Sequence, residues 1–284
     1  MTRPGRARVL LLALIAPVLW TWAFVLVMDV RARAYLRHTR RQAGSASVRR
    51  QLDTWRREVR ALLGVQVSQL MWPVSHAVWT PPHPRGRAVL CIHGFSQNGT
   101  NFWRLRRRLH ARGRVTEAVL LGLPPRRVEA YADVLEAHLA ARVAATPGPL
   151  DVVAHSMGGV VLRVVLARRP DLAARLGQVV TLGTPHFGTG SARGLPFPET
   201  RFLGRRSAAL HALPLLSDLV DPRTLTTIGG EEDTTVYPVE TTLDPQARHV
   251  RLPGLGHAGI LWDPDAVAAV VATLARDLPP DAAR

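Results

Sequence analysis

One stretch of the chain, residues 150–159 with the sequence LDVVAHSMGG, constrains the fold more than any other. Its apolar start has the length and composition of a buried strand, and the apolar residues after the two glycines favour a helix. A serine between small residues, in the pattern small-x-Ser-x-Gly, is typical of a sharp strand-to-helix turn. The pattern therefore predicts that Ser156 lies at the apex of this turn in a strained backbone conformation, with its hydroxyl pushed out of the sheet above the positive end of a helix. Ala154 and Gly158 are small because larger side chains would collide with the turn.

Strand and helix patterns alternate through most of the chain. Apolar runs bounded by glycine or proline predict strands at residues 88–92, 115–121, 150–155, 178–182, 225–228 and 249–252, and residues 74–80 could supply a leading strand. Amphipathic patterns predict helices at residues 98–112, 127–145 and 263–278. This alternation indicates an α/β fold, a mostly parallel sheet with helices on both faces. Ligands of such sheets bind at the carboxyl ends of the strands.

Composition and charge narrow the possible partners. The 284 residues suffice for one large α/β domain with an appendage, and 37 basic against 21 acidic residues give a net charge of +16. Either Arg-rich codon usage or attraction to an anionic surface explains this charge, and a membrane fits better than nucleic acid because no nucleic-acid-binding motif accompanies it. The single cysteine, Cys91, excludes an intrachain disulfide and is predicted to be a small buried residue.

The amino-terminal region contains an apolar run long enough to cross a bilayer. Residues 9–28 carry no charge, and about 20 helical residues span a hydrocarbon core of about 30 Å. A cleaved signal peptide, which would make the protein secreted, is the competing interpretation, but the run is long for one and no A-x-A site ends it. We therefore predict that residues 1–30 form an N-terminal transmembrane anchor. Arginines on both sides of the run leave its orientation open.

The remaining chain divides into two predicted parts. Residues 31–73 are rich in arginine, and both a juxtamembrane helix on anionic lipid head groups and a solvated spacer fit this segment. Residues 74–284 form the compact domain. Within it, residues 194–221 combine many prolines with weak periodicity, which predicts an insertion over the site, a cap or lid, with one short helix near residues 206–213.

A serine hydroxyl needs a base to take its proton and an acid to orient that base. His257 is the best candidate base because it lies in a glycine-flanked loop after the last predicted strand. Three acids, Glu231, Glu232 and Asp233, follow the preceding strand, and position alone does not choose among them. The remaining histidines precede the domain, lie on predicted helices, begin a strand or belong to other loops (His38, His76, His83, His93, His110, His138, His155, His186, His211 and His249).

Four segments, taken together and in order, resemble the bacterial triacylglycerol lipases and esterases of the α/β-hydrolase superfamily. Residues 93–95 (HGF) resemble the HG-x oxyanion loop, and residues 181–189 (TLGTPHFGT) resemble the segment LGTPHxGT. Residues 233–238 resemble the acid loop D-x-x-V-x-P, and residues 256–257 resemble the histidine loop. The resemblance covers residues 88–278. Ala154 departs modestly from it, since many members have glycine there.

The resemblance implies an α/β-hydrolase fold and a role for each site residue. Ser156 would attack an acyl carbonyl, His257 would take its proton, and Asp233, selected over Glu231 and Glu232 by the Val-x-Pro spacing, would hold the imidazole. The backbone N–H groups of Phe95 and Met157 would form the oxyanion hole. The other loop histidines are expected to order loops (His93, His155 and His186).

The predicted function is hydrolysis of carboxylic esters, with acyl lipids as substrates and the membrane as partner. An acyltransferase or thioesterase with the same residues is the first alternative, and a membrane-tethered binding module without activity is the second. No cofactor, metal or nucleic acid is predicted, because no metal-ligand spacing, phosphate loop or dinucleotide motif occurs. Four apolar residues could line an acyl pocket or pack in the core (Phe187, Phe197, Phe202 and Leu203).

Overall fold

The fold is described from a computed structural model, which covers residues 48–69, 71, 77–193 and 195–276. Its centre is a six-stranded sheet in which all neighbouring strands run parallel. In chain order the strands are β1 (Val89–Ile92), β2 (Thr116–Val119), β3 (Leu150–His155), β4 (Leu176–Leu182), β5 (Leu225–Gly230) and β6 (Arg248–Leu252). The parallel sheet expected from the alternating pattern is therefore confirmed.

The strand order in space is β2-β1-β3-β4-β5-β6. The direction of progress through the sheet reverses after β2, so β1 and β3 lie side by side at the switch point, with Ile92 opposite Ala154. A crevice forms outside the carboxyl ends of strands at such a point, because the following connections leave toward opposite faces. The loop after β1 and the turn after β3 therefore meet at one place.

Helices cover both faces of the sheet. They are α1 (Val48–Gln69), α2 (Trp103–His110), α3 (Val128–Ala145), α4 (Met157–Arg168), α5 (Pro170–Ala173), α6 (Pro198–Phe202), α7 (Ala208–His211), α8 (Gly259–Trp262) and α9 (Pro264–Leu274). Leu90 and Ile92 of β1 point into a core shared with α3 and α4, whereas Val89 and Cys91 point into a core shared with α2 and α9. Alternating side chains of one strand thus serve two cores, as strand geometry requires.

Most predicted elements are present with shifted ends. The helix expected at residues 98–112 begins as a 3-10 turn over Gly99–Phe102, where the Asn98 side chain accepts the Thr100 N–H, and continues as α2. Asp263 caps α9, which Pro264 begins, as proline at a first helical position favours. Residues 72–76 lie outside the described part, and Trp79 forms an antiparallel bridge to Thr116 at the sheet edge.

Residues 195–221, here called the cap segment, contain two short helices, α6 and α7, where the pattern predicted one. The cap segment is tied firmly to the body. The fully buried Glu199 accepts hydrogen bonds from the Arg126 N–H at 2.6 Å and the Tyr131 hydroxyl at 2.7 Å. The Arg163 guanidinium of α4 donates to the carbonyls of Leu213 and Pro214 at 2.9 and 3.0 Å.

Helix α1 lies within the segment that the sequence analysis separated from the domain, and it packs on the body. Ala61 and Val65 are buried, whereas Leu63 and Val67 face outward. A Cβ atom at Gly64 would lie 2.3 Å from the Trp262 ring, so the helix approaches α8 closely. Residues 48–69 therefore form a helix that packs against the body of the α/β domain.

The predicted membrane anchor at residues 1–30 lies outside the described residues. Among the helices that the structure describes, none combines the length and apolar character needed to span a bilayer.

Candidate active site

Ser156 occupies the turn between β3 and α4. Its backbone angles, φ 53° and ψ −127°, fall in a region that non-glycine residues rarely adopt and that often marks functional sites. The start of α4 packs closely against the end of β1. A Cβ atom at Gly158 would lie only 2.6 Å from the His93 carbonyl oxygen, so a larger residue would not fit there. Likewise, a Cβ at Gly159 would lie 2.3 Å from Thr184 Oγ1. The glycines therefore allow the strained turn that the sequence pattern predicted.

The loop after β1 lies against this serine. A Cβ atom at Gly94 would lie 2.9 Å from the Ser156 Cβ atom, which places the backbone of Phe95 beside the turn. Met157 is the first residue of α4, so its N–H has no acceptor within the helix. The two backbone groups named by the resemblance thus belong to segments that meet at Ser156.

Two buried histidines order this loop. The His93 Nε2 atom accepts the Leu121 N–H at 3.0 Å, so its Nδ1 carries the proton and donates to the Gly94 carbonyl at 2.8 Å. The His155 Nδ1 atom donates to Gln97 Oε1 at 2.9 Å, and the same oxygen accepts the Gly94 N–H at 3.1 Å. Sequence reasoning did not single out Gln97, because its partner His155 lies 58 residues further along the chain.

Asp233 and His257 come together from the loops after β5 and β6. The Asp233 Oδ2 atom accepts a hydrogen bond from His257 Nδ1 at 2.7 Å. Its other oxygen, Oδ1, accepts the N–H groups of Thr235 and Val236 at 2.8 and 2.7 Å, which fixes the carboxylate. Of the neighbouring acids, Glu232 accepts the Gly254 N–H at 2.7 Å instead. Asp233 is therefore the acid that orients the His257 ring and keeps the proton on Nδ1.

The His257 ring lies over the strand that neighbours the serine. A Cβ atom at Gly183 would lie 3.2 Å from both Cε1 and Nδ1 of His257, and the preceding carbonyl, Leu182 O, accepts the Ser156 N–H at 2.8 Å. The ring of His155 is 4.7 Å from the His257 ring, centroid to centroid. The structure thus gathers the loops after β1, β3, β5 and β6 around one point at the sheet edge.

Electrostatics set the two histidines apart. Burial, and the nearby His257, lower the pKa of His155 well below its usual value, so this ring stays neutral. Burial also acts to lower the pKa of His257, but the charge and hydrogen bond of Asp233, together with the charge of Glu58, outweigh it and raise the pKa. Of the two, His257 is the ring equipped to take up a proton.

The loop after β4 supports the acid loop. Thr189 Oγ1 donates to the Thr235 carbonyl at 2.8 Å and accepts the Tyr237 N–H at 3.2 Å, and Ser191 Oγ donates to the same carbonyl at 2.6 Å. His186, in the middle of this loop, is buried, and its pKa is lowered to about 3 by burial and by the charge of Arg163. The segment 181–189 thus serves to shape the site.

Three of the four apolar residues considered for an acyl pocket separate into two groups. The Phe197 ring of the cap segment lies 6.2 Å from the Phe95 ring, beside the loop after β1. Leu203 is buried in the core shared with α3 and α4, and Phe202 packs against it. The Phe197 ring therefore lies beside the loop after β1, whereas Phe202 and Leu203 belong to the core.

Sequence reasoning missed one acid near the site, Glu58 of α1. Its carboxylate accepts the N–H groups of Ala258 and Gly259, directly after His257. No sequence signal marks this residue, because it lies among arginines in a segment outside the resemblance. Among the residues described here, no group of three His, Cys, Asp or Glu side chains is arranged to hold a metal ion.

Comparison with known proteins gives a consistent family match. The model of the Alpha/beta hydrolase family matches residues 89–270. The mature lipase BlEst2 of Bacillus licheniformis superposes with a TM-score of 0.59 at 15% identity, covering 70% of this chain and 97% of that chain. A search of curated proteins finds no match.

Two further solved structures share the fold. Lipase B of Aspergillus fumigatus superposes with a TM-score of 0.53 at 15% identity, covering 73% of this chain and 58% of its own. Est1E of Butyrivibrio proteoclasticus gives 0.53 at 16%, covering 69% and 90%. At such identities the likeness shows the fold alone.

Proposed function

This chain belongs to the alpha/beta hydrolase family, and from that premise we propose that it is a serine hydrolase that cleaves carboxylic esters, with acyl lipids as its substrates. The observation that carries the proposal is the meeting of a strained serine turn with a histidine whose Nδ1 atom is held by a fixed carboxylate. A base, an acid that orients it and a nucleophile at one sheet edge are the parts that acyl transfer to serine requires.

In the first step, Ser156 Oγ attacks the ester carbonyl carbon and passes its proton to Nε2 of His257. The negative charge moves to the carbonyl oxygen, where the N–H groups of Phe95 and Met157 stabilise it, and the start of α4 adds its positive dipole end. The bond to the leaving oxygen then breaks, and the proton on Nε2 goes to that oxygen. The alcohol departs and leaves an acyl group on Ser156.

In the second step, water attacks the acyl-serine carbonyl carbon while His257 takes its proton. The carbon–Oγ bond breaks, Oγ recovers a proton from His257, and the carboxylic acid leaves. Asp233 accepts the hydrogen bond from Nδ1–H throughout and so holds the ring in position for both proton transfers.

Three features support acyl lipids as the substrate class. Two of the structures that share the fold are described as lipases. The phenyl rings of Phe95, in the loop after β1, and Phe197, in the cap segment, lie 6.2 Å apart and offer apolar contacts for an acyl chain. The uncharged run at residues 9–28 is long enough to hold the protein at a bilayer.

The first test measures hydrolysis of p-nitrophenyl esters from acetate to palmitate by the wild type and by Ser156→Ala. We expect turnover that rises with chain length and is lost in the variant, by a factor of about 10³ or more. Labelling by a fluorophosphonate without turnover of any ester would favour the acyltransferase or thioesterase alternative. Neither turnover nor labelling would favour the binding-module alternative and overturn the proposal.

We also propose that residues 1–30 anchor the protein to a membrane and so bring the site to its substrate. Deletion of residues 1–28 should then reduce turnover of lipid in vesicles at least tenfold while leaving turnover of a soluble short ester unchanged. The soluble ester serves as the control for folding. Equal losses on both substrates would contradict the anchoring role.

A further inference from the structure

The carboxylate of Glu58 lies directly against the loop that carries His257. Its Oε1 atom accepts the Ala258 N–H at 2.7 Å, and its Oε2 atom accepts the Gly259 N–H at 2.9 Å. These are the two residues that follow His257, and they form the start of α8. Two adjacent backbone N–H groups bound by one carboxylate fix both the position and the orientation of that backbone.

The histidine loop is shaped around this carboxylate. A Cβ atom at Gly256 would lie 2.6 Å from Glu58 Cδ, and one at Gly259 would lie 3.1 Å from Oε2. Any side chain at Gly256 would therefore push the carboxylate out. The glycines on both sides of His257 thus leave space for an acid that comes from another part of the chain.

Helix α1 holds Glu58 in place through contacts on either side of it. Arg57 pairs with Asp263 at 3.1 Å and with Asp265 at 2.8 Å, at the start of α9. Six residues after Glu58, Gly64 lies against the Trp262 ring at the end of α8. The helix is therefore clamped to the same short stretch, residues 258–265, that follows the histidine.

We propose that Glu58 is a positioning residue for the reaction, so that α1 is a working part of the site and not an appendage. The inference rests on the proposed function for its kinetic consequence. Glu58 does not touch the His257 ring. It acts through the backbone of residues 258 and 259, and its negative charge stabilises the protonated ring during the reaction.

Several charged groups share this space and determine the effect of pH. His257 faces Asp233 from the loop after β5, His155 from β3 and Glu58 from α1. Burial raises the pKa of Glu58, and the negative charge of Asp233 raises it further. The hydrogen bonds from the N–H groups of Ala258 and Gly259 and the charge of protonated His257 act to lower this pKa, but the net shift is upward. Because both oxygens of Glu58 accept N–H groups, the carboxylate is the form that holds the loop.

The direct test measures the pKa of His257 by NMR titration of its ring Cε1 resonance, which is assigned by its loss in His257→Gln. Glu58→Gln removes a negative charge beside the ring, which disfavours the protonated form, so the His257 pKa should fall measurably. Asp53→Asn is the matched control, because it removes an acid from the same helix that pairs with Arg56, three residues away, at 3.3 Å. An unchanged pKa in Glu58→Gln, or an equal fall in Asp53→Asn, would overturn the inference.

A second measurement tests positioning. Glu58→Ala should lower kcat for a soluble short ester by about 10- to 100-fold with little change in KM, because the imidazole is displaced without loss of substrate contacts. Asp53→Asn should retain wild-type kcat. The folded fraction at the assay temperature, read by circular dichroism, must stay near one; a kcat that falls only as that fraction falls would make Glu58 merely structural.

The two proposals fail in distinguishable ways. If the wild type hydrolyses no ester while Glu58→Gln still lowers the His257 pKa, the proposed function falls and the positioning of His257 by Glu58 stands. If the wild type hydrolyses esters but Glu58→Gln leaves the His257 pKa unchanged and Glu58→Ala leaves kcat unchanged, the positioning role of Glu58 is overturned and the proposed function stands.

Discussion

Asp233 and Glu58 hold the same histidine by different means and from different parts of the chain. Asp233 lies in a loop after β5 and meets the imidazole ring itself, at 2.7 Å from Nδ1. Glu58 lies on α1, 200 residues before Ala258, and meets only the backbone after the ring. The ring contact selects the tautomer and balances charge, whereas the backbone contact decides where the ring is. One histidine thus needs two acids with separable duties.

The largest effect is expected when the ring contact is removed. Asp233→Asn should lower kcat/KM for a soluble ester by about 10⁴-fold, because an amide favours the wrong tautomer and no longer stabilises the imidazolium. Glu232→Gln is the control, since Glu232 binds the Gly254 N–H and not the ring; it should lose about tenfold or less. Similar losses of kcat/KM in both variants would show that activity depends on the structure of the acid loop and not on the contact between Asp233 and the His257 ring.

A smaller loss of activity is expected when α1 is displaced by a substitution that leaves both Asp233 and Glu58 unchanged. Gly64→Ala adds a Cβ atom that would lie 2.3 Å from the Trp262 ring. Alanine favours a helix by about 1 kcal/mol over glycine, yet the overlap costs about 1–3 kcal/mol, so the free energy of unfolding should change little or fall by up to about 2 kcal/mol. Activity should fall about tenfold, toward that of Glu58→Ala.

Gly204→Ala provides the matched control for that experiment. Its added Cβ atom would lie 3.5 Å from the Arg201 carbonyl oxygen, an ordinary contact, and Gly204 belongs to the cap segment and not to α1. Denaturant unfolding and ester hydrolysis measure both variants. Full activity in Gly64→Ala would mean that the packing of α1 against α8 does not affect the position of His257.

The pH profile of the unmodified protein is expected to reveal both acids together. Asp233 and Glu58 raise the pKa of His257 despite its burial. Because the protonated ring cannot accept the Ser156 proton, kcat/KM should fall as the pH is lowered through a pKa above the usual histidine value of about 6.5. An acidic limb with a pKa well below about 6.5 would contradict the conclusion that the two carboxylates together raise the pKa of His257.

The smallest effect is expected at the edge of the α1 contact. Arg57 pairs with Asp263 and Asp265, but its side chain is 37% exposed, so solvent screens these pairs. Arg57→Ala should therefore lower the free energy of unfolding by about 1 kcal/mol or less and leave kcat within about twofold. A loss as large as that of Glu58→Ala would move the positioning role from the carboxylate to the ion pairs.

The site could be predicted in part because several of its requirements are local. The turn at Ser156 needs small neighbours and a strand before it, and both are visible within ten residues of sequence. Asp233 was one of three adjacent acids by position, and the resemblance alone selected it. In the structure its Oδ1 atom accepts the backbone N–H of Val236, so the carboxylate is fixed within its own loop.

Other features could not be predicted because their partners are distant in sequence. Gln97 joins the loop after β1 to His155, and Glu199 ties the cap segment to Arg126 and Tyr131. Each is a single polar residue in a weakly patterned stretch. Nothing in its neighbourhood in the sequence reveals the group that will be buried against it.

By itself, the sequence determined the alternation of strands and helices, the turn at Ser156 and the set of residue types at the strand ends. Hydrophobic period and turn chemistry act over a few residues, so they can be read directly. The tertiary structure decided the order of the strands, which acid meets the His257 ring, and the docking of α1 with Glu58 beneath the histidine loop. Those outcomes depend on contacts between residues that are distant in sequence. The Glu58 carboxylate, for example, binds the N–H group of a residue 200 positions away, and only folding brings the two together.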